Sequence, residues 1–140
     1  MFTVECRVGR LVEARVTVQV LSMQALDQGI AIGRSVLARR TEPIVVCADM
    51  RAAKVFSPEV SQRFLEWATV VNVRLVRSAI LVSPQNPTSV LQNERMSRET
   101  GHPQRRTFRD PAEVRGWLGE VLTPAEQRRL EEFLASYIPE

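Results

Sequence analysis

The chain is 140 residues long and carries a formal net charge of +3, supplied almost entirely by arginine because Lys54 is its only lysine. A chain of this length buries roughly two-thirds of its unfolded surface in one core, so it needs neither disulfides nor a metal for stability. The aromatic residues are few and do not alternate with basic ones, which excludes the stacking platform of single-strand nucleic-acid binders. We therefore expect one globular domain that does not bind nucleic acid.

The two cysteines, Cys6 and Cys47, lie far apart in apolar surroundings and lack the CxxC or His/Cys spacing of a metal or redox site. We interpret both as small buried apolar residues, which favours a reducing cytoplasm. No run approaches the ~20 apolar residues that a membrane helix needs, and the residues after Met1 do not resemble an export signal. We expect a cytoplasmic protein that is not inserted in a membrane and that has neither a metal nor another cofactor.

The first residues predict a β-hairpin. Apolar and polar residues alternate over 2–8, which is typical of a strand with one buried face. A second extended run covers 11–20, and the turn Gly9-Arg10 separates the two. The chain should therefore open with two antiparallel strands.

A helix is predicted after the hairpin. Ser22 is a suitable N-cap, and apolar residues recur behind it at helical spacing as far as Arg39 and Arg40, whose charges favour a helix end. Gly29 and Gly33 lie four residues apart on one face of this helix. They indicate close packing of the helix on the sheet, since glycines that bind phosphate precede a helix.

The chain is organised around residues 43–59. A short apolar run, 44–48, predicts a strand buried on both faces, and Asp49 ends it. Ser57-Pro58 then predicts a helix start, with Ser57 as N-cap and proline at the first helical position. A strand, a polar tip and a helix N-terminus therefore follow one another directly.

The remaining patterns alternate between strand and helix. They predict a buried strand over 74–83, a polar helix over 90–100 capped by Thr88 or Ser89, a short strand over 105–109, and helices that begin at Asp110-Pro111 and Thr123-Pro124. A right-handed crossover should make the two buried strands parallel. The predicted fold is an α/β domain over 1–122, in which a mixed sheet of an N-terminal hairpin and parallel strands is flanked by helices. Residues 123–140 are predicted to form a C-terminal helical extension packed on the same domain.

Three segments carry a family likeness: VVCADMR at 45–51, VRSAILVS at 76–83 and TFRDPAEVRGWL at 107–118. The last resembles a closing F-x-D-x-x-E-A-x-x-W-L pattern, and the order of strands and helices fits the same family. Over residues 2–122 the chain thus resembles the STAS class, named for sulfate transporters and anti-sigma factor antagonists, and most of all its single-domain SpoIIAA-like branch.

The resemblance implies a non-enzymatic signalling module that binds partner proteins and is sometimes switched by phosphorylation; a few members are proposed to hold nucleotides or lipids. In the phosphorylated antagonists the switch serine follows an Asp and precedes Ser-Gly at the start of the helix after the central strand. Only Ser57 matches here, because residues 56–59 read Phe-Ser-Pro-Glu. Ser57 is a candidate phosphorylation site by resemblance, and a structural N-cap by its own context.

A binding edge is predicted where the two parallel strands end, because open sheets bind ligands outside the carboxyl ends of their strands. Polar residues follow both strands or lie on the helix after the second: Asp49, Arg51, Ser57, Gln85, Asn86, Gln92, Arg95 and Arg98. These side chains could bind a polar ligand or an acidic loop of a partner. In the alternative, Asp49 and Arg95 pair only to fasten the polar helix.

No motif predicts catalysis. The chain lacks a P-loop, GxGxxG and GxSxG. His102 is the only histidine. It could form a catalytic couple with Cys47 only if the fold brought the two side chains together, although Cys47 should point into the sheet. We therefore expect no enzyme.

The last helix has an apolar strip made of Leu130, Phe133, Leu134 and Tyr137. This strip could bury against its own domain or against a second copy, so a homodimer is possible. The expected function is a non-enzymatic regulatory or scaffolding module that binds a partner protein through the carboxyl edge of its sheet. The alternative is a sensor of a small ligand, a nucleotide or a lipid, at the same edge.

Overall fold

A computed structural model describes residues 1–138, in which five strands form one sheet with helices on both faces. The strands are β1 (Phe2–Val8), β2 (Leu11–Val16), β3 (Ile44–Asp49), β4 (Leu75–Leu81) and β5 (Arg105–Phe108). The helices are α1 (Met23–Ala38), α2 (Pro58–Val71), α3 (Pro87–Glu99), α4 (Pro111–Gly119) and α5 (Pro124–Ala135), with a 3₁₀ turn at Asn72–Arg74. None of the helices in this part of the chain is long and apolar enough to cross a membrane.

The sheet has the order β1-β2-β3-β4-β5. β1 and β2 pair antiparallel, and β2, β3, β4 and β5 pair parallel. This arrangement confirms the predicted α/β class with a mixed sheet. The central strands are buried on both faces because helices cover each side, which explains their continuous apolar runs.

Side-chain caps fix most helix starts. The hydroxyls of Ser22, Ser57 and Thr123 accept from the backbone N–H three residues on, as their sequence context predicts. The predicted start of α3 at residue 90 is wrong. The helix begins at Pro87 with Asn86 as N-cap, because proline is well tolerated at the first helical position and here starts the helix instead of only ending the loop.

Two apolar layers lie on opposite faces of the sheet. One contains α1, α2 and α3, and its core includes Phe2, Leu26 and Phe64. In this layer, a Cβ at Gly29 would lie 2.6 Å from the carbonyl oxygen of Phe2, so the glycine permits the close packing of α1 on β1. The other layer contains α4 and α5, which cover Val45, Cys47 and their neighbours.

α5 is packed on its own domain. Leu130, Phe133 and Leu134 of the predicted apolar strip are buried in the second layer, and Tyr137 is half-buried. The strip is therefore covered within the chain and is not a free surface for a second copy.

Buried ion pairs fasten α5 to the sheet. Glu13 of β2 accepts two hydrogen bonds of 2.7 Å from Arg129, which raise the pKa of that guanidinium. At the start of α5, the buried carboxylate of Glu126 accepts from the backbone N–H of Arg10 at 2.6 Å and of Thr123 at 2.9 Å. Burial alone would raise the pKa of Glu126, but these N–H groups and the Arg10 guanidinium outweigh it and leave that pKa lowered.

Candidate functional site

Asp49, at the carboxyl end of β3, is buried and fully hydrogen-bonded within the chain. Its side chain is 1% exposed. One oxygen accepts from the Arg51 backbone N–H at 3.1 Å and from Arg51 Nε at 3.0 Å. The other accepts from Arg15 Nε at 2.8 Å and from an Arg51 terminal nitrogen at 3.0 Å. These bonds occupy the lone pairs of the carboxylate, so Asp49 has little capacity left for a ligand.

The two arginines on Asp49 hold the end of α5. Arg15 donates to the Phe133 carbonyl at 2.6 Å, and Arg51 donates to the Leu134 carbonyl at 3.0 Å. Both carbonyls belong to the last turn of α5, where cations are favourable. The predicted edge residues Asp49 and Arg51 therefore fasten the last helix.

Gln92 has a structural role at the same edge. Its side-chain oxygen accepts from the Phe56 backbone N–H at 2.8 Å, and its side-chain nitrogen donates to the Phe56 carbonyl at 2.9 Å. This reciprocal pair joins α3 to the loop between β3 and α2. Both polar ends of Gln92 therefore serve internal contacts.

The other predicted edge residues lie at or near the surface. Ser57 is exposed and caps α2, and Gln85 and the half-buried Asn86 lie in the turn before α3. Arg95 is exposed and pairs with Glu99 one turn along α3 at 2.7 Å. Arg98 is exposed on the same helix. The alternative in which Asp49 pairs with Arg95 is therefore wrong, because Arg15 and Arg51 occupy Asp49.

Cys47 and His102 do not form a catalytic couple. Cys47 is fully buried under α4 and α5, and burial raises the pKa of its thiol. Both ring nitrogens of His102 bind backbone: Nδ1 accepts from Gln104 N–H at 3.0 Å, and Nε2 lies 3.0 Å from the Leu75 carbonyl. A thiol that resists ionisation and an imidazole held by backbone do not make a nucleophile and base.

The opposite layer contains a cavity of about 100 Å³ between the sheet and α1, α2 and α3. A row of residues paired across four strands lies along its floor: Val12, Val46, Ser78 and Arg105. Val46 lies in the middle of the central strand and is nevertheless only partly buried. Because neighbouring strands flank it and helices cover it, the surface that Val46 exposes is the wall of this cavity.

Small residues leave this space open. Ala14 and Ala48 pair across β2 and β3 beside the floor row, and Gly33, Ala68 and Ser97 lie on the three helices that form the roof. Larger side chains also line it, among them Phe64, Trp67 and Met96. The cavity thus exists because several strands and helices contribute small side chains that do not fill the space between them.

One end of the cavity is polar. Ser78 and Asn93 line it and are almost fully buried. Arg105 lies against Ser78, with 3.4 Å between a terminal guanidinium nitrogen and the Ser78 hydroxyl. The remaining lining is mostly apolar, so the cavity combines an apolar body with a polar end, as ligand pockets commonly do.

Arg105 has no carboxylate partner among residues 1–138. Its guanidinium donates to the Asn72 side-chain oxygen at 3.0 Å, to the Ala68 carbonyl at 2.9 Å and, more weakly, to Ser78. All three acceptors are neutral. Burial lowers the pKa of Arg105 to about 10, which still leaves it charged at neutral pH. The structure therefore places a positive charge at the cavity wall without an acid to neutralise it.

A surface groove lies on the other side of Arg105. It has a volume of about 550 Å³ and shares Ser97 and Arg105 with the cavity. Arg98, His102 and Arg106 also line this groove, and Glu94 is the one acid among its lining residues. Arg105 thus stands between the interior space and a basic surface groove.

No family model, curated protein or solved structure matches this chain. The resemblance to the STAS class therefore stays a prediction. The chemistry of the site is inferred from its own residues.

Sequence reasoning missed the cavity, although one signal was present. Ser78 interrupts an otherwise apolar run in a strand predicted to be buried, and a buried polar residue marks a place where something must be hydrogen-bonded. Arg105 lies at the start of a short strand that has no apolar run around it, so the sequence did not predict a buried charge there. Its position beside Ser78 depends on the pairing of β4 with β5.

Proposed function

We propose that this protein is a non-enzymatic regulatory module that binds a small apolar ligand in the cavity between the sheet and α1, α2 and α3. The open space above Val46 carries the proposal. Protein interiors are close-packed, and enclosed apolar space that is left unfilled costs ~24 cal/mol per Å³. A ligand that fills the cavity would recover that free energy.

The size of the cavity limits the ligand. An apolar cavity of ~150 Å³ accepts benzene, so the space of about 100 Å³ suits an apolar group of about four to six carbon atoms. A nucleotide is too large for it, since pockets for drug-sized ligands begin at ~300 Å³. This proposal therefore differs from the predicted sensor, which was expected to bind a nucleotide or a lipid at the carboxyl edge of the sheet.

The lining of the cavity favours binding over catalysis. It includes no histidine, cysteine, aspartate or glutamate among the described residues. Its polar side chains are hydroxyls, the amide of Asn93 and one arginine, and none of them lies beside a general base. A site of this composition holds and orients a ligand.

Binding of benzene to the full chain tests this proposal. In wild type we expect saturable NMR shifts at Val46, Ala48 and Met96, and a rise in Tm of a few degrees as benzene exceeds its Kd several-fold. Val46→Phe should fill the cavity and abolish both effects. Val73→Phe, at a position that is 87% exposed, is the matched control and should bind benzene like wild type.

Two results would contradict the proposal. The first is the absence of any benzene effect on wild type. The second is an equal response in wild type and Val46→Phe, which would place the binding outside the cavity.

The second candidate is the predicted partner-binding module of STAS type, which acts through the carboxyl edge of the sheet. The predicted surface includes α3 and the loop between β3 and α2. Hydrogen bonds between Gln92 and Phe56 hold these two elements together, which supports this candidate. Large apolar side chains are exposed on these two elements, Val55 at 46% and Leu91 at 65%. The order of strands and helices also fits the class.

Affinity capture from the native cell tests this second candidate. Arg95→Glu and Ser57→Asp should abolish capture of a partner without unfolding the domain, since both side chains are exposed. The Ser57 variant also tests the predicted phosphorylation site. Arg39→Glu, exposed after the end of α1, is the control and should retain the partner. Undiminished capture in both test variants would exclude this surface.

A further inference from the structure

We propose that the ligand of the cavity is a small aliphatic carboxylic acid, whose carboxylate binds Arg105 and whose hydrocarbon part fills the apolar space. This inference rests on the proposed ligand-binding function and adds the chemical class of the ligand. It is carried by the guanidinium at the cavity wall, whose hydrogen-bond partners are all neutral.

The positive charge of Arg105 favours an anionic ligand. Buried charges in proteins are paired or otherwise compensated, because an isolated charge loses its hydration on burial. Among the half-buried arginines of residues 1–138, Arg15 and Arg51 share Asp49 and Arg129 pairs with Glu13. Arg74 donates only to the Leu37, Arg40 and Glu42 carbonyls. Arg105 also lacks a carboxylate partner and, unlike Arg74, it lines the cavity.

The end of α2 compensates only part of this charge. Arg105 donates to the Ala68 carbonyl in the last turn of α2, where the helix dipole supplies roughly half of a negative charge. Its three hydrogen bonds also leave two of the five guanidinium N–H groups for another acceptor. A carboxylate offers the planar pair of oxygens that a guanidinium binds best.

The neighbouring groups suit the same ligand. Ser78 supplies a hydroxyl beside Arg105, while Val12, Val46 and Ala48 line the apolar part of the cavity. An acid with about four to six carbons matches both parts. The groove that shares Arg105 with the cavity is also lined by Arg98.

The test compares two probes of nearly equal shape, 3-methylbutanoate and its neutral amide, 3-methylbutanamide, by NMR titration of the full chain. Wild type should bind the carboxylate about 10- to 100-fold more tightly than the amide, as expected for charge-assisted hydrogen bonds. Arg105→Met should abolish this preference and retain the benzene response. Arg105→Lys should keep part of it, since lysine provides the charge without the planar pair of donors.

Arg106→Met is the matched control. Arg106 is the next residue and also lines the groove, but its guanidinium stacks on Trp117 on the opposite face of the sheet, 4.9 Å from the ring centroid. This variant should keep the full preference for the carboxylate. A loss of preference equal to that of Arg105→Met would mean that general positive charge, and not Arg105, selects the ligand.

The outcomes separate this inference from the proposed function. If benzene binds in the cavity but wild type does not prefer the carboxylate, the assignment of a carboxylic acid is wrong and ligand binding stands. If neither benzene nor the carboxylate binds, both proposals are wrong. The comparison of carboxylate with amide in wild type gives a decision even if Arg105→Met fails to fold.

Discussion

The two faces of the sheet are filled in different ways. Under α5, apolar packing is accompanied by ion pairs between arginines and buried acids. The acids are Glu13, Asp49 and Glu126. Under α1, α2 and α3 lies a cavity, and the arginine at its wall has only neutral partners. The arginines under α5 thus pair with carboxylates of the chain, whereas the arginine at the cavity wall donates only to neutral acceptors.

The comparison also corrects the usual expectation for an open sheet. Polar residues at the carboxyl ends of parallel strands generally indicate a binding site. Here the most buried of them, Asp49, is occupied by arginines that hold the end of α5. The candidate ligand site lies on the other face, under the helices.

The largest expected effect is that of Asp49→Ala. The change leaves Arg15 and Arg51 without their shared carboxylate, and breaking a buried pair costs about 3–5 kcal/mol. Urea unfolding should show this loss in the free energy of unfolding. Asp27→Ala, which breaks the exposed pair with Arg63, should cost less than about 1 kcal/mol. Similar losses in the two variants would contradict the structural role of Asp49.

The next effect should come from Gly9→Ala in the hairpin turn. Gly9 has a φ of +57°, and a Cβ there would collide with the buried carboxylate of Glu126. Gly101 has a φ of +75° with open space around it, so Gly101→Ala carries only the backbone cost of about 1–2 kcal/mol. We expect thermal unfolding to show a loss for Gly9→Ala that is at least ~1 kcal/mol larger. Equal losses of stability in the two variants would contradict this expectation, because they would mean that α5 shifts away from residue 9 without destabilising the fold.

A smaller effect, which depends on pH, is expected for Glu126→Gln. The folded protein lowers the pKa of Glu126, so the contribution of its carboxylate is complete above the unfolded pKa and is lost as pH falls through the folded pKa. At pH 7 the variant should lose about 1–2 kcal/mol. Unfolding measured from pH 7 to pH 3 should show the difference between wild type and variant shrinking in acid. A difference that stays constant with pH would contradict this account.

The smallest effect is expected for Arg95→Ala. This arginine lies on neither buried face and pairs with Glu99 on an exposed surface, where such pairs contribute about 0.3–0.5 kcal/mol. Urea unfolding should show a change within this range. A loss above about 1 kcal/mol would show that the outer face of α3 is covered by further contacts.

The sequence predicted the elements well because their signals are local. The apolar run of β3 and the caps at Ser22, Ser57 and Thr123 depend on residues next to one another. The start of α3 was missed because Pro87 can either end a loop or begin a helix. Local signals thus gave the order of elements, with errors at their boundaries.

The partners of charged residues could not be predicted in the same way. Asp49 takes Arg15, 34 positions away, and not Arg95, because the pairing of β2 with β3 places Arg15 directly opposite. The cavity arises from several small residues on different elements, and none of them is unusual by itself. Both features are set by tertiary packing.

The link between Glu13 and Arg129 also has a consequence for the nascent chain. The two residues are 116 positions apart, so the second strand is synthesised long before its partner. Until α5 emerges from the ribosome, Glu13 must stay hydrated, and the layer opposite the cavity is covered by α4 alone. Co-translational folding can therefore complete the cavity side first, while the opposite side closes only when translation reaches the last helix.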